Sequence, residues 1–146
     1  MIQRIQSLFL LLAGGASLGL LGLPFAKTSQ PVAQSAFFAD GLFNIMDHPA
    51  IMGIFLGAGV LSLISIFLFN NRSNQARVAQ LAIVANIIGL ILAIVLFMQD
   101  SAVQTEAAVD DQLGLFLPPI SLICLFLAIR SIRKDEKVVR SMDRLR

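Results

Sequence analysis

Neither tryptophan nor tyrosine occurs in this chain of 146 residues, and cysteine and histidine occur once each. A single cysteine, Cys124, closes no intramolecular disulfide, which excludes the membrane thiol oxidoreductases whose electron shuttling needs a dithiol. Its place inside an apolar run reads as small apolar packing. The single histidine, His48, follows Asp47 and would need acids from the distant segment Gln99–Gln112 to complete a metal site, so neither a metal nor any other cofactor is expected. No nucleophile–base pair stands out, and the reading is non-enzymatic.

Charge is the other scarcity. Charged residues make up 14% of the chain against 57% hydrophobic, with a mean hydropathy of +0.83, far from the balance of a water-soluble domain. Four runs carry no charge at all: Leu8–Ala26, Ala50–Phe69, Val78–Met98 and Leu113–Ile129. A hydrocarbon core of roughly 30 Å takes about 20 residues of helix, so these runs predict membrane spans. The expected fold is all-α, an antiparallel four-transmembrane-helix bundle in a single domain over 1–146. The spans fall at about 5–26, 50–69, 78–98 and 113–132, with a basic tail at 133–146. A signal h-region is typically about 7–15 residues long, shorter than the first run, and Pro24 sits awkwardly before Ala26, so that run is expected to stay as an uncleaved span.

The charges sort by side. With the N-terminus inside, the inner segments hold ten of the eleven basic residues and leave only Lys27 outside, while six of the nine acids fall in the two outer loops. The positive-inside rule then puts both termini in the cytoplasm.

Small residues suggest where the helices meet. Gly15, Gly19, Gly22 and Ala26 lie in a stripe about 60° wide, and Gly53 with Gly57 repeats the spacing on the second span. Equal depth from the first outer loop predicts contact between Gly19 and Gly57. Asn86 is the one strongly polar side chain deep in a run; an amide in hydrocarbon needs a partner, and Ser62 on the second span lies at matching depth. Pro118 and Pro119 read as the start of the last helix. The outer loop 27–49, with Phe37, Phe38, Leu42, Phe43, Ile45 and Met46, reads as an interfacial or capping element that ends in a helix-start signal, Asp47-His48-Pro49.

In the tail, Arg133, Lys137, Arg140 and Arg144 form one helical stripe and Val138, Met142 and Leu145 another. Such a helix suits anionic membrane lipid or an acidic protein partner, membrane-bound or cytoplasmic. Nucleic acid is not expected, because the segment is short, lacks aromatics and carries three acids. Self-association into a homo-oligomer stays open.

The opening MIQRIQSLFLLL (Met1–Leu12) and the ending IRKDEKVVRSMDRLR (Ile132–Arg146) resemble the ends of a bacterial family of small four-span membrane proteins catalogued as domain-of-unknown-function 4293. The resemblance implies a location in the bacterial cytoplasmic, or inner, membrane and brings no assigned activity. Two functions compete. One is a scaffold or accessory subunit that works through its basic tail; the other is a small transporter or channel with a path near Asn86, Ser62, Ser65 and Pro118.

Overall fold

The computed structural model of the chain describes residues 2–29, 31, 35–100 and 109–143, and at 2–3 and 140–143 the backbone alone. It is predominantly helical. Four long helices, α1 (Ile2–Gly19), α2 (Pro49–Phe67), α3 (Arg72–Gln99) and α4 (Leu117–Asp143), pack in a ring in which α1 and α3 each touch α2 and α4.

The buried positions explain the ring. Beside flanking Gly14, Ala16, Gly59, Ala76, Cys124 and Ile129, they run through Gln6, Leu10, Ala13, Ser17 and Leu20 along α1 and its exit, and through Ile51, Phe55, Ala58, Ser62 and Ser65 on α2. On α3 they are Gln75, Ala79, Ala82, Asn86, Gly89 and Ala93, and on α4 Pro118, Ser121, Leu125, Ala128 and Ile132. Every series steps by alternating fours and threes, the 3.5-residue seam that holds neighbouring helices in register. The seam is smaller and more polar than the outside, where Leu8, Leu12, Leu81, Ile88, Ile91 and Phe126 stand about half exposed or more. A helical body with amides and hydroxyls inside and bulky apolar chains outside suits hydrocarbon better than water.

Among the described residues three helical stretches are long and apolar enough to cross a membrane: Pro49–Phe67, Arg72–Gln99 and Leu113–Val139. The first helix departs from expectation. It stops at Gly19 after 18 residues, and the chain turns through Leu21 N–H to Leu18 O and Gly22 N–H to Gly19 O. Gly19, Gly22 and Pro24 together give up the helix that their apolar neighbours favour. The third starts earlier than its apolar run, because Asn71 caps it: the Asn74 N–H donates to Asn71 Oδ1 at 3.2 Å. In α4, Pro118 and Pro119 occupy the first turn, where a missing N–H costs little.

One end is closed by a cap, as expected of the loop 27–49, but built on a sheet that the sequence reading did not contain. Strands β1 (Ala26–Thr28), β2 (Leu42–Phe43) and β3 (Val109–Asp111) form a small antiparallel sheet ordered β2-β1-β3. Its apolar side feeds a core of Leu20, Phe25, Phe37, Phe38, Phe43, Ile45, Ile51, Phe55 and Ala93. Phe43 is the hub, its ring 5.1–6.0 Å from those of Phe37, Phe25, Phe38 and Phe97. Asp100, just past α3, ties down the adjoining loop: it accepts from Ser35 Oγ at 2.6 Å and from the N–H groups of Ala36 and Phe37. The 3-10 turn Leu113–Phe116 then passes so close to the exit of α1 that a side chain at Gly114 would collide with the carbonyls of Leu23 and Pro24.

Candidate functional site

Among the described residues, polar side chains gather at three places along the four helices. The first is the far end of α4. Phe126, Ile129, Arg130, Arg133, Lys134 and Lys137 recur at helical spacing and line one open groove of about 390 Å³. Phe126 and the four cations are exposed, while Ile129 forms part of the floor. The groove is apolar at Phe126 and Ile129 and cationic from Arg130 onward, where Gln6 and Arg72 still hold the opposite side of α4. Helix α4 continues unbroken to Asp143, and Arg133 and Lys137 lie on either side of Asp135, where α1 and α3 hold it. The Arg140 side chain and residue Arg144, expected on the same stripe, lie outside the described residues, as do the Met142 side chain and Leu145.

The second place is the centre. Ser17, Asn86 and Ser121 come from three different helices and are essentially inaccessible. Ser17 Oγ stands 2.9 Å from Ser121 Oγ and 3.3 Å from Asn86 Oδ1, and Ser121 Oγ stands 3.1 Å from the Ala13 carbonyl. Two hydroxyl protons serve these three contacts, so two are made at a time. Asn86 faces inward as its polarity requires, but it does not bond Ser62. Its amide donates to the Ala82 carbonyl of its own helix at 3.1 Å, and Ser62 Oγ donates to the Ala58 carbonyl at 2.8 Å. Both donors take the i−4 carbonyl of their own helix, which regular helix geometry keeps within reach.

The third place is a clamp beside the basic groove. Arg72 Nη1 meets Asp135 Oδ2 at 3.1 Å and donates to the Asp135 carbonyl at 2.9 Å. Gln6 Nε2 reaches the Ser131 carbonyl at 3.1 Å and Asp135 Oδ2 at 3.5 Å. The ends of α1, α3 and α4 are thereby fastened through one carboxylate, a role the sequence reading missed.

The expected glycine contacts are corrected. Gly15, Gly53 and Gly57 have nothing within 4 Å of where a Cβ would stand, and Gly19 meets Leu117 of α4 at 3.4 Å rather than α2. The close approach of α1 to α2 is made instead by Gly14 and Gly59. A Cβ on Gly14 would lie 2.9 Å from Leu63, and one on Gly59 2.8 Å from Leu18, each near the other's carbonyl. The reason is rotational: Gln6 and Ser17 must find partners, which turns their seam inward and leaves Gly15, about 200° beyond Ala13, outside. Gly89 gives the matching approach of α3 to Ile54 and Phe55 of α2.

Among the described residues no cluster of three or more His, Cys, Asp or Glu side chains could hold a metal ion. Cys124 is a free, buried thiol in the Ala-rich core. The family model described as domain of unknown function (DUF4293) matches residues 2–145. Neither a curated protein nor a solved structure matches the chain.

Proposed function

We propose, for a chain that belongs to the family described as domain of unknown function DUF4293, a non-enzymatic membrane protein of the bacterial inner membrane. It is a scaffold or accessory subunit, and its basic extension holds anionic lipid headgroups at the cytoplasmic face. In this reading the four helices form an antiparallel four-helix bundle that crosses the bilayer with both termini inside, supported by the distribution of basic residues. The observation that carries the reading is the groove of α4. Phe126 and Ile129 offer an acyl chain an apolar bed, and Arg130, Arg133, Lys134 and Lys137 meet the phosphate one to two turns further along the same face. Each such cation near an anionic leaflet contributes about 1 kcal/mol.

The competing transporter reading gains nothing from the centre. Asn86, Ser17, Ser62 and Ser121 are buried and spend their hydrogen-bonding groups on one another and on backbone carbonyls, so they offer no open coordination to a passing solute.

The test is lipid enrichment around the full chain in nanodiscs of mixed phosphatidylglycerol and phosphatidylethanolamine. The native protein should concentrate phosphatidylglycerol, and the effect should fall with added salt and with Arg133→Glu combined with Lys137→Glu. Unchanged enrichment in that variant removes the lipid role. Loss in the same variant of a co-purifying acidic protein, with enrichment unchanged, gives the groove to a protein partner instead. Reporter fusions that prove active outside after Arg146 overturn the topology.

A further inference from the structure

At the opposite end of α3 lies a second crevice, of about 320 Å³, lined by Phe25, Ala26, Phe43, Leu90, Ala93, Ile94, Phe97, Met98, Asp111 and Leu115. Small Ala93 makes the notch. Ile94 and Met98, 48% and 67% exposed, form a rim that opens sideways from the helices rather than along them. From Leu90 to Met98 the crevice follows about 12 Å of helix.

The register of the sheet decides its charge. Ala26 is paired with Phe43 on one side and Asp111 on the other, and Lys27 with Leu42 and Asp110. Directly opposed residues in antiparallel strands send their side chains to one face. Phe43, Ala26 and Asp111 therefore form the row that lines the crevice, and Leu42, Lys27 and Asp110 the row on the far face. Lys27 shares its row with Asp110, so its charge falls on the far face. Asp111 is left as the one charged group among the described residues around an otherwise apolar cavity.

We propose that this crevice is a binding site for one aminophospholipid of the outer leaflet, an acyl chain lying against Leu90, Ala93 and Phe97 and the headgroup ammonium on the Asp111 carboxylate. The assignment rests on the reading above that α3 crosses the membrane with Gln99 at the outer face. A laterally open apolar crevice at that depth fills with hydrocarbon, because water there would find almost no polar partner. The carboxylate at its mouth then chooses among lipids: it attracts an ammonium and repels a headgroup with net negative charge. Opposite ends of the molecule thus select opposite lipids, cationic α4 taking the anionic ones and Asp111 the amino ones.

Native mass spectrometry of the full chain with added phosphatidylethanolamine or phosphatidylglycerol tests this. One phosphatidylethanolamine should stay bound at collision energies that strip detergent. Asp111→Asn, at an exposed strand position, should lower that retention severalfold without lowering phosphatidylglycerol binding. Ile94→Trp, which puts an indole into the rim, should block the same site by bulk. Arg133→Glu with Lys137→Glu should do the reverse of Asp111→Asn, so that failure of the basic groove and failure of the crevice are read separately. Native-like retention in Asp111→Asn and Ile94→Trp overturns the proposal. So does a dimer that Ile94→Trp abolishes, which would give the crevice to a second copy.

Discussion

The two halves of the molecule solve the same packing problem with opposite materials. Toward the sheet, the core is built on Phe25, Phe37, Phe38, Phe43 and Phe55, and chain segments far apart in sequence supply its rings. Toward the basic end it is Ala13, Ala76, Ala79, Ala82 and Ala128 with Leu10, Leu125 and Cys124, drawn from helices alone. Small side chains let helices approach closely and gain dispersion along their backbones. Large rings instead fill a space that loops and strands must wall off. The difference says that one half is held by close approach and the other by volume, so each should break under the opposite kind of substitution.

The largest loss is expected from Phe55→Ala, which empties a fully buried ring position beside Phe25 and Gly89. It should cost about 3–5 kcal/mol, read as a lower midpoint in denaturant titration of the detergent-solubilised protein. At the other end the damaging change runs from small to large. Ala79→Leu, in a fully buried position of the α3 seam, should cost about 1–3 kcal/mol by forcing helices apart. If Ala79→Leu is harmless, the two halves are not packed on different principles.

A smaller effect tests the centre, where the halves meet. A double-mutant cycle of Ser17→Ala and Asn86→Leu should show a coupling of about 0.6 kcal/mol, the usual scale for such bonds within membranes. Coupling near zero would leave the contact as proximity only. The smallest effect is electrostatic and belongs to the sheet end. Partial desolvation raises the Asp47 carboxyl above its ordinary 3.8, against the lowering hydrogen bond from the Asn44 N–H, and the charge of Asp40 adds to the rise. A raised acid binds its proton more tightly in the fold than in the unfolded chain. Its contribution is therefore full below 3.8 and is lost as pH climbs through the raised value. Asp47→Asn should flatten this part of the stability–pH curve, measured as thermal midpoints across the acidic range, while substitutions at the basic end leave it unchanged.

Much of this was legible in the sequence, for reasons that can be named. Uncharged runs marked α2, α3 and α4, His48-Pro49 and Pro118 marked two helix starts, and the polarity of Asn86 turned it inward. The packing faces were hidden because in a chain like this one hydrophobicity does not distinguish inside from outside: Leu12 and Ile91 are exposed, and Gln6 and Gln75 are buried. A stripe of glycines then looks like an interface wherever it falls, as at Gly15 and Gly53. The stronger signal was the four-three recurrence of small and polar residues, Gln6 to Ser17 on α1 and Gln75 to Asn86 on α3. The sheet was beyond reach for another reason. Strands of two or three residues leave no periodicity to detect, and they exist only because three distant segments meet over the same phenylalanines.

The hydrogen bonds from α1 to α4 impose an order of events on biosynthesis. Gln6 finds its acceptors 125 and 129 residues later, and Ser17 finds Ser121 104 residues later. A ribosome delivers the first helix long before the last, so the Gln6 amide awaits its acceptors until α4 has emerged, while the Ser17 hydroxyl can turn to Asn86 once α3 is in place. A chain cut short before Ser131 therefore leaves the Gln6 amide without the carbonyl and carboxylate that hold it.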